Sequence, residues 1–281
     1  MSLGRFVGRL LYVFLSRYRT VALHNLHCVF GREKSEAQIR RIARESFENL
    51  GLFAVESIRI PRMTKRVRDY IVMENEESLF NALRAKRGVV LIISHFGNWE
   101  WMGVAAAARM REKGAKINAV ARPLGNPFLY RYVVQHLRGA TSLRTIDKKG
   151  AVREVMKLLD QNEFVCILID QHERRASIPV PYFGMNAWTT TLPAVLALRR
   201  DVPAIPVFSF RRKGKPTLMK VGEPFPIIRT GSYDQDVYEN TKQYLQAIEA
   251  EVRKRPGDWL WMHRRWRESV AKNDSRSLTL G

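Results

Sequence analysis

With 281 residues and 46% hydrophobic content, the chain is large enough to bury a substantial core as one domain with a helical appendage. Its formal net charge of +21 and pI near 10.5 point to anionic partners: nucleic acid, an acidic membrane surface, or a phosphorylated or acidic-protein substrate. Two cysteines, Cys28 and Cys166, supply neither a disulfide framework nor a metal set, which fits a reducing compartment.

The segment LGRFVGRLLYVFLSRYR opens the chain as an amphipathic helix. Leu3, Phe6, Val7, Leu10, Leu11 and Phe14 share one stripe, with Arg5, Arg9 and Arg17 around it. The apolar run Leu10 to Leu15 is shorter than the roughly 20 residues that a span requires, and it lacks the pattern of a secretory signal. A basic amphipathic helix either lies in an anionic membrane surface or packs on its own domain, and one helix can do both.

A second helix is expected over 21–29. Ser35 with Gln38 forms a capping box for the long helix that follows, which Pro61 is expected to end. These helices form an N-terminal region, residues 1–68, ahead of an α/β domain, residues 69–281. There the pattern alternates. Strands are expected at 70–73, 89–93, 117–121, 145–146, 164–169, 204–210 and 217–221. Helices are expected at 77–86, 100–113, 127–137, 151–160, 192–199 and 234–253. Such alternation predicts a mostly parallel or mixed central sheet flanked by helices, with the N-terminal helices as a lid. The last residues, from about Lys272 to Gly281, read as a disordered tail.

The stretch GVVLIISHFGNWE, Gly88 to Glu100, carries the chemistry. Val89 to Ile93 reads as a strand covered on both faces, which puts Ser94 and His95 at its carboxyl end. Open α/β sheets bind their ligands at that edge. Gly97 and Asn98 then turn the chain into an Ala-rich helix whose first turn holds Glu100. From there the carboxylate can fold back onto the imidazole and fix its tautomer. A histidine so oriented is suited to taking the proton of a hydroxyl that attacks a carbonyl. The structural alternative is a satisfied strand-end histidine and an ordinary first-turn acid.

Other stations follow the same edge. Arg122, in ARPLGNP with Asn126, stands after the third strand as a fork for phosphate or carboxylate, or as a surface arginine before a turn. Asp170 and Gln171 end the fifth strand, where Asp170 can pair with Arg122, orient substrate or cap its loop. The loop continues through Arg174 and Arg175 to VPYFG, Val180 to Gly184, which reads as a buried loop anchor or as an acyl-channel wall. Thr189, Thr190 and Thr191 offer an N-cap to the helix at Leu192. Finally PGDWLWMHRRW, Pro256 to Trp266, mixes three tryptophans with His263, Arg264 and Arg265, a composition suited to lipid head groups or to stacking on nucleic acid.

Ten Lys or Arg against two acids in residues 101–150, and nine against four in the first fifty, bracket the His95 motif with positive charge. Neither a DNA-reading helix nor a zinc module is recognisable. G-x-S-x-G, Walker, G-x-G-x-x-G and H-E-x-x-H signatures do not occur, so acyl-enzyme hydrolase, nucleotide-triphosphatase, dinucleotide and zincin readings lose their sequence support.

Taken together, HFGNWE, ARPLGNP, DQ, VPYFG, TTTLPAVLALR and WMHRRW resemble the bacterial lipid A biosynthesis acyltransferase family, the lauroyl and myristoyl transferases of the lysophospholipid acyltransferase superfamily. The resemblance covers nearly the whole chain. It implies a glycerolipid acyltransferase-like fold and transfer of a fatty acyl chain from acyl-acyl carrier protein, or acyl-CoA, to a hydroxyl of a lipid A precursor. It further implies His95 as base, Glu100 as its partner and Arg122 as ligand for substrate phosphate or thioester-side groups.

Asn126, Asp170, Gln171, Arg175, His263 and Arg264 are carried over as substrate-binding candidates. Expected partners are acyl carrier protein, an anionic glycolipid acceptor and the cytoplasmic face of the inner membrane, all anionic. No nucleic acid, metal or cofactor is expected. Relatives often carry a longer apolar N-terminal anchor, so the short basic segment here implies peripheral or monotopic attachment, or a trimmed start. Two alternatives stand beside this reading: another lipid acceptor (a lysophospholipid, a mannosylated lipid or an amino-acid lipid), or a non-catalytic basic protein that binds membranes or nucleic acid.

Overall fold

The computed structural model describes residues 2–121, 126–141, 143–148 and 150–267. Arg122 and the tail from Lys272 to Gly281 lie outside the described residues. The chain divides into two compact units, Met1–Leu52 with Ile169–Leu192 and Thr230–Gly281, and Phe53–Leu168 with Pro193–Arg229. Residue 68, taken above as the end of the helical region, falls inside the second unit.

Nine strands occur among the described residues: β1 (Ile71–Glu74), β2 (Val89–Ile93), β3 (Ile117–Ala121), β4 (Arg144–Asp147), β5 (Phe164–Leu168), β6 (Ser177–Tyr182), β7 (Met185–Thr190), β8 (Ala204–Arg212) and β9 (Lys215–Val221). Seven form the sheet of the second unit in the order β1-β9-β8-β2-β5-β3-β4. All neighbours are parallel except β8 and β9, which form an antiparallel hairpin, so the sheet is mixed and mostly parallel, as expected.

The continuous apolar run of β2 fits its central place. It pairs with β5 from Val89↔Phe164 to Ile93↔Leu168 and with β8 through Val90↔Ala204, and all five of its residues are buried. The Trp99–Arg111 helix packs into the same core as Leu91, Ile93 and Cys166. Four successive alanines, Ala105 to Ala108, are buried in it, and such small side chains let a helix lie close to a sheet.

The second unit departs from expectation in two places. The Glu36–Met63 helix runs through Pro61 instead of stopping there. Pro61 lacks the N–H that would bond the carbonyl of Ser57, and that carbonyl accepts the Tyr132 hydroxyl at 3.4 Å. The helix expected over 127–137 is a single α-turn, Pro127–Tyr130, followed by a π-helix, Arg131–Arg138. Wide turns of this kind are rare and often lie at functional sites.

In the first unit, helices Ser2–Phe14 and Ser16–Phe30 precede the long helix, whose capping box forms as expected: Ser35 N–H donates to Gln38 Oε1 at 2.8 Å, and Gln38 N–H to Ser35 Oγ at 3.4 Å. The first helix packs through Gly4 and Gly8, and most of its apolar stripe does not take part. Cβ atoms added at Gly8 or at the facing Gly51 would overlap backbone atoms across the contact. Five of its large apolar side chains stay outside: Phe6 is 58% and Phe14 76% exposed, and Leu3, Leu10 and Val13 are exposed as well, while Val7 and Leu11 are half-buried.

The segment Ser177 to Thr190, anticipated as loop, is the β6–β7 hairpin. It turns at Phe183 and Gly184, both in the left-handed region (φ 52° and 74°) that tight hairpin turns require. VPYFG therefore forms the hairpin tip, with Tyr182 and Phe183 buried. Thr189 and Thr190 are strand residues. Thr190 Oγ1 accepts the Leu192 N–H at 3.4 Å, while Thr191 Oγ1 donates to the carbonyl of Ala176.

The tryptophans of the last motif are core, not interface. Trp259, Trp261 and Trp266 are buried with Tyr182 and Phe183. Trp266 stacks on Tyr182 at 5.8 Å, and Trp259 meets Trp261 edge-on at 4.7 Å. Each indole N–H has an acceptor: Asp170, the carbonyl of Pro256 and the carbonyl of Tyr182, respectively. Burial of a large ring whose one polar atom is satisfied removes the reason to present it to a head group.

Candidate active site

His95 is half-buried two residues beyond the end of β2, as its position after the apolar run required. Its ring meets Trp99 edge-on at 4.9 Å, and Trp99 stacks flat on Phe53 at 4.3 Å. Between them the chain reverses at Gly97, which has φ 63° and whose Cβ would overlap the carbonyl oxygen of Ser209. Only glycine satisfies both demands. Asn98 then caps the helix, its Oδ1 accepting the Trp101 N–H at 2.9 Å.

Glu100 lies buried in the first turn of that helix. Both of its oxygens are engaged by Arg138, the last residue of the π-helix: Nε donates to Oε1 at 2.6 Å and a terminal nitrogen to Oε2 at 2.9 Å. The other terminal nitrogen of Arg138 donates to Thr145 Oγ1 at 3.0 Å. Burial lowers the pKa of the guanidinium, but the hydrogen bond and charge of Glu100 outweigh it and the net shift is upward. A carboxylate has about four lone-pair positions, so this fork leaves Glu100 capacity for a further donor.

A second ion pair braces the same turn. Arg211, on β8, donates to both oxygens of Glu56 at 2.8–3.0 Å, and Asn98 Nδ2 donates to Glu56 Oε2 at 2.7 Å. Sequence reading missed Arg138, Glu56 and Arg211. Each sits 38 residues or more from its partner, and no local pattern announces the pairing.

The remaining candidates distribute as follows. Asn126 lies in the second unit, where its Oδ1 accepts the Phe128 N–H at 2.9 Å and so starts the short Pro127–Tyr130 turn. Asp170, Gln171, Arg175, His263 and Arg264 lie in the first unit. Asp170 is buried and accepts from the Trp259 indole at 2.8 Å. The carbonyl of Gln171 accepts from Arg265, which is wholly buried, also bonds Thr189 Oγ1, and has its pKa pulled by burial down to about 10. His263 Nε2 accepts the His172 N–H at 2.9 Å, which places the neutral ring's proton on Nδ1. Arg175 and Arg264 are exposed. The HRR run thus divides by role: Arg265 anchors the interior and Arg264 faces solvent.

The chemistry that this arrangement supports is an imidazole at the ligand edge of a central strand, followed by a buried and charge-matched carboxylate. The model of a family described as bacterial lipid A biosynthesis acyltransferase matches residues 1–268. A phosphatidylinositol mannoside acyltransferase of Mycolicibacterium smegmatis is 26% identical over 92% of this chain and 82% of its own. A lipid A biosynthesis palmitoleoyltransferase of Escherichia coli K12 is 26% identical over 94% and 84%. A phosphatidylinositol mannoside acyltransferase of Mycobacterium tuberculosis H37Rv is 23% identical over 83% and 72%. With a family match over nearly the whole chain, the protein belongs to the bacterial lipid A biosynthesis acyltransferase family and is an O-acyltransferase.

Proposed function

We propose that the enzyme moves a fatty acyl chain from an acyl carrier protein thioester, or acyl-CoA, to a hydroxyl of a lipid A precursor glycolipid. His95 acts as general base and Glu100 orients it. The imidazole takes the proton of the acceptor hydroxyl, and the oxygen attacks the thioester carbonyl. The tetrahedral oxyanion is held by nearby backbone N–H groups or an arginine. The carbon–sulfur bond then breaks, the leaving thiolate recovers the proton from the imidazolium, and the ester remains on the acceptor. No acyl-enzyme forms. Arg122, Asn126, Asp170, Gln171, Arg175, His263 and Arg264 are the proposed substrate-binding residues, the arginines as contacts to anionic groups. The observation that carries this reading is His95 at the carboxyl end of β2, followed after four residues by a Glu100 that Arg138 holds in place.

The exposed apolar residues of the first helix, with Arg5 and Arg9 on the same helix and Arg17 at the start of the next, support peripheral attachment to the cytoplasmic face of an anionic inner membrane. Among the described residues no helix is long and apolar enough to cross a membrane. A mannosylated phosphatidylinositol is the competing acceptor, because two of the relatives above are named for it. The test is transfer by purified enzyme from acyl-acyl carrier protein and from acyl-CoA to each acceptor. Loss of about three orders of magnitude in His95→Ala, with lipid A precursor as the better acceptor, is expected. A His95→Ala protein that keeps the wild-type rate refutes the base, and exclusive use of the mannoside refutes the acceptor.

A further inference from the structure

The long helix holds the His95 turn at two points. Phe53 stacks on Trp99, the residue against which the His95 ring packs, and one turn later Glu56 accepts from Asn98, the cap of the helix that carries Glu100. Arg211 fixes Glu56 from the other side with a bidentate fork; its side chain is 9% exposed and that of Glu56 23%. Asn98 is thereby used at both ends, its oxygen by the helix and its amide by Glu56. This leaves the turn between His95 and Glu100 little freedom to rotate. A carboxylate engaged by Asn98 and Arg211 does not need to meet substrate in order to affect rate.

We propose that Glu56 is a positioning residue for acyl transfer, acting through Asn98 to hold the His95–Glu100 turn in its working geometry. The proposal rests on the assignment of His95 as base. Its effect falls on kcat, because the restraint orders the reacting groups and does not bind substrate. A misplacement of 1 Å can cost about a hundredfold, and with the Phe53–Trp99 stack still present the loss of Glu56 costs about tenfold.

The test compares Glu56→Met, Glu56→Met/Arg211→Met, Glu56→Gln, Asn98→Ala, Glu56→Met/Asn98→Ala and His95→Ala. Each is assayed with whichever donor and acceptor the wild type turns over, and each is checked by thermal melting. The Met/Met pair leaves no stranded guanidinium, so it separates positioning from misfolding. Glu56→Met and the Met/Met pair are expected to lose about tenfold in kcat, with KM within about twofold of wild type. Glu56→Gln, which keeps an acceptor for Asn98, is expected to recover most of that loss. The Glu56→Met/Asn98→Ala double variant should be no slower than the slower single, because both act on one restraint.

Wild-type kcat in the folded Met/Met protein overturns the proposal. So does a loss carried by KM, a Gln variant as slow as Met at equal melting temperature, or additive losses with Asn98→Ala. Activity retained by His95→Ala overturns the base assignment instead, so the two failures are told apart.

Discussion

Replacing Arg138 by Met removes one partner of a buried ion pair and leaves the other in place. The side chains of Arg138 and Glu100 are 13% and 7% exposed, and the guanidinium makes two hydrogen bonds to the carboxylate and one to Thr145. Stranding a buried charge in this way costs about 3–5 kcal/mol, whereas breaking an exposed pair costs about 0–1 kcal/mol. The Arg68–Glu112 pair, with side chains 68% and 43% exposed, provides that internal control.

Urea denaturation followed by far-UV circular dichroism should therefore show Arg138→Met destabilised by about 3–5 kcal/mol and Arg68→Met unchanged from wild type. Adding Glu100→Leu to Arg138→Met should restore most of the stability, since no charge is then left buried, but not activity. Arg138→Lys keeps the charge and loses the fork, so it should fall between. If Arg138→Met costs under about 1 kcal/mol, or if the double variant is no more stable than the single, the view of this pair as mutually dependent is wrong.

Two further outcomes follow from exposure. Phe6→Ser/Phe14→Ser should weaken binding to vesicles containing anionic phospholipid by at least about tenfold without altering the melting temperature, because the two rings already face solvent; unchanged binding would rule out the stripe as the anchor. Burial pushes the Cys166 thiol up to about 12, while Cys28 is exposed. Ellman's reagent at pH 8 should then react with one thiol per native chain and with two in denaturant. Since the unfolded thiol ionises near 8.5 and the folded one near 12, the contribution of Cys166 to stability falls as pH rises across that window. Two rapid equivalents in the native protein would contradict its burial.

Much of the fold was legible because it is local. An unbroken, β-branched apolar run such as Val89 to Ile93 suits a strand covered on both faces, and the structure places it between β5 and β8. The helix start at Ser35 was readable from a side chain that caps within three residues, whereas Asn98 was read as a turn residue and proves to be a cap. The β6–β7 hairpin was not legible. Its turn is carried by Phe183 in the left-handed region, where a bulky residue is unusual, and two prolines interrupt β6. Nor did the sequence warn that Pro61 would sit inside a helix, since the compensating hydroxyl of Tyr132 comes from 75 residues away.

Within the candidate site the division has the same cause. A histidine at a strand end, a glycine turn, a cap and a first-turn glutamate are consecutive residues, so backbone geometry alone set their order from His95 to Glu100. Which cation meets Glu100, which acid meets Asn98, and which side of the first helix faces inward depend on residues brought together from distant parts of the chain. Arg138, Glu56 and the Gly4–Gly8 face have ordinary local sequence. Burial gives them their meaning, because a charge or a missing Cβ matters energetically only once packing has removed the water around it.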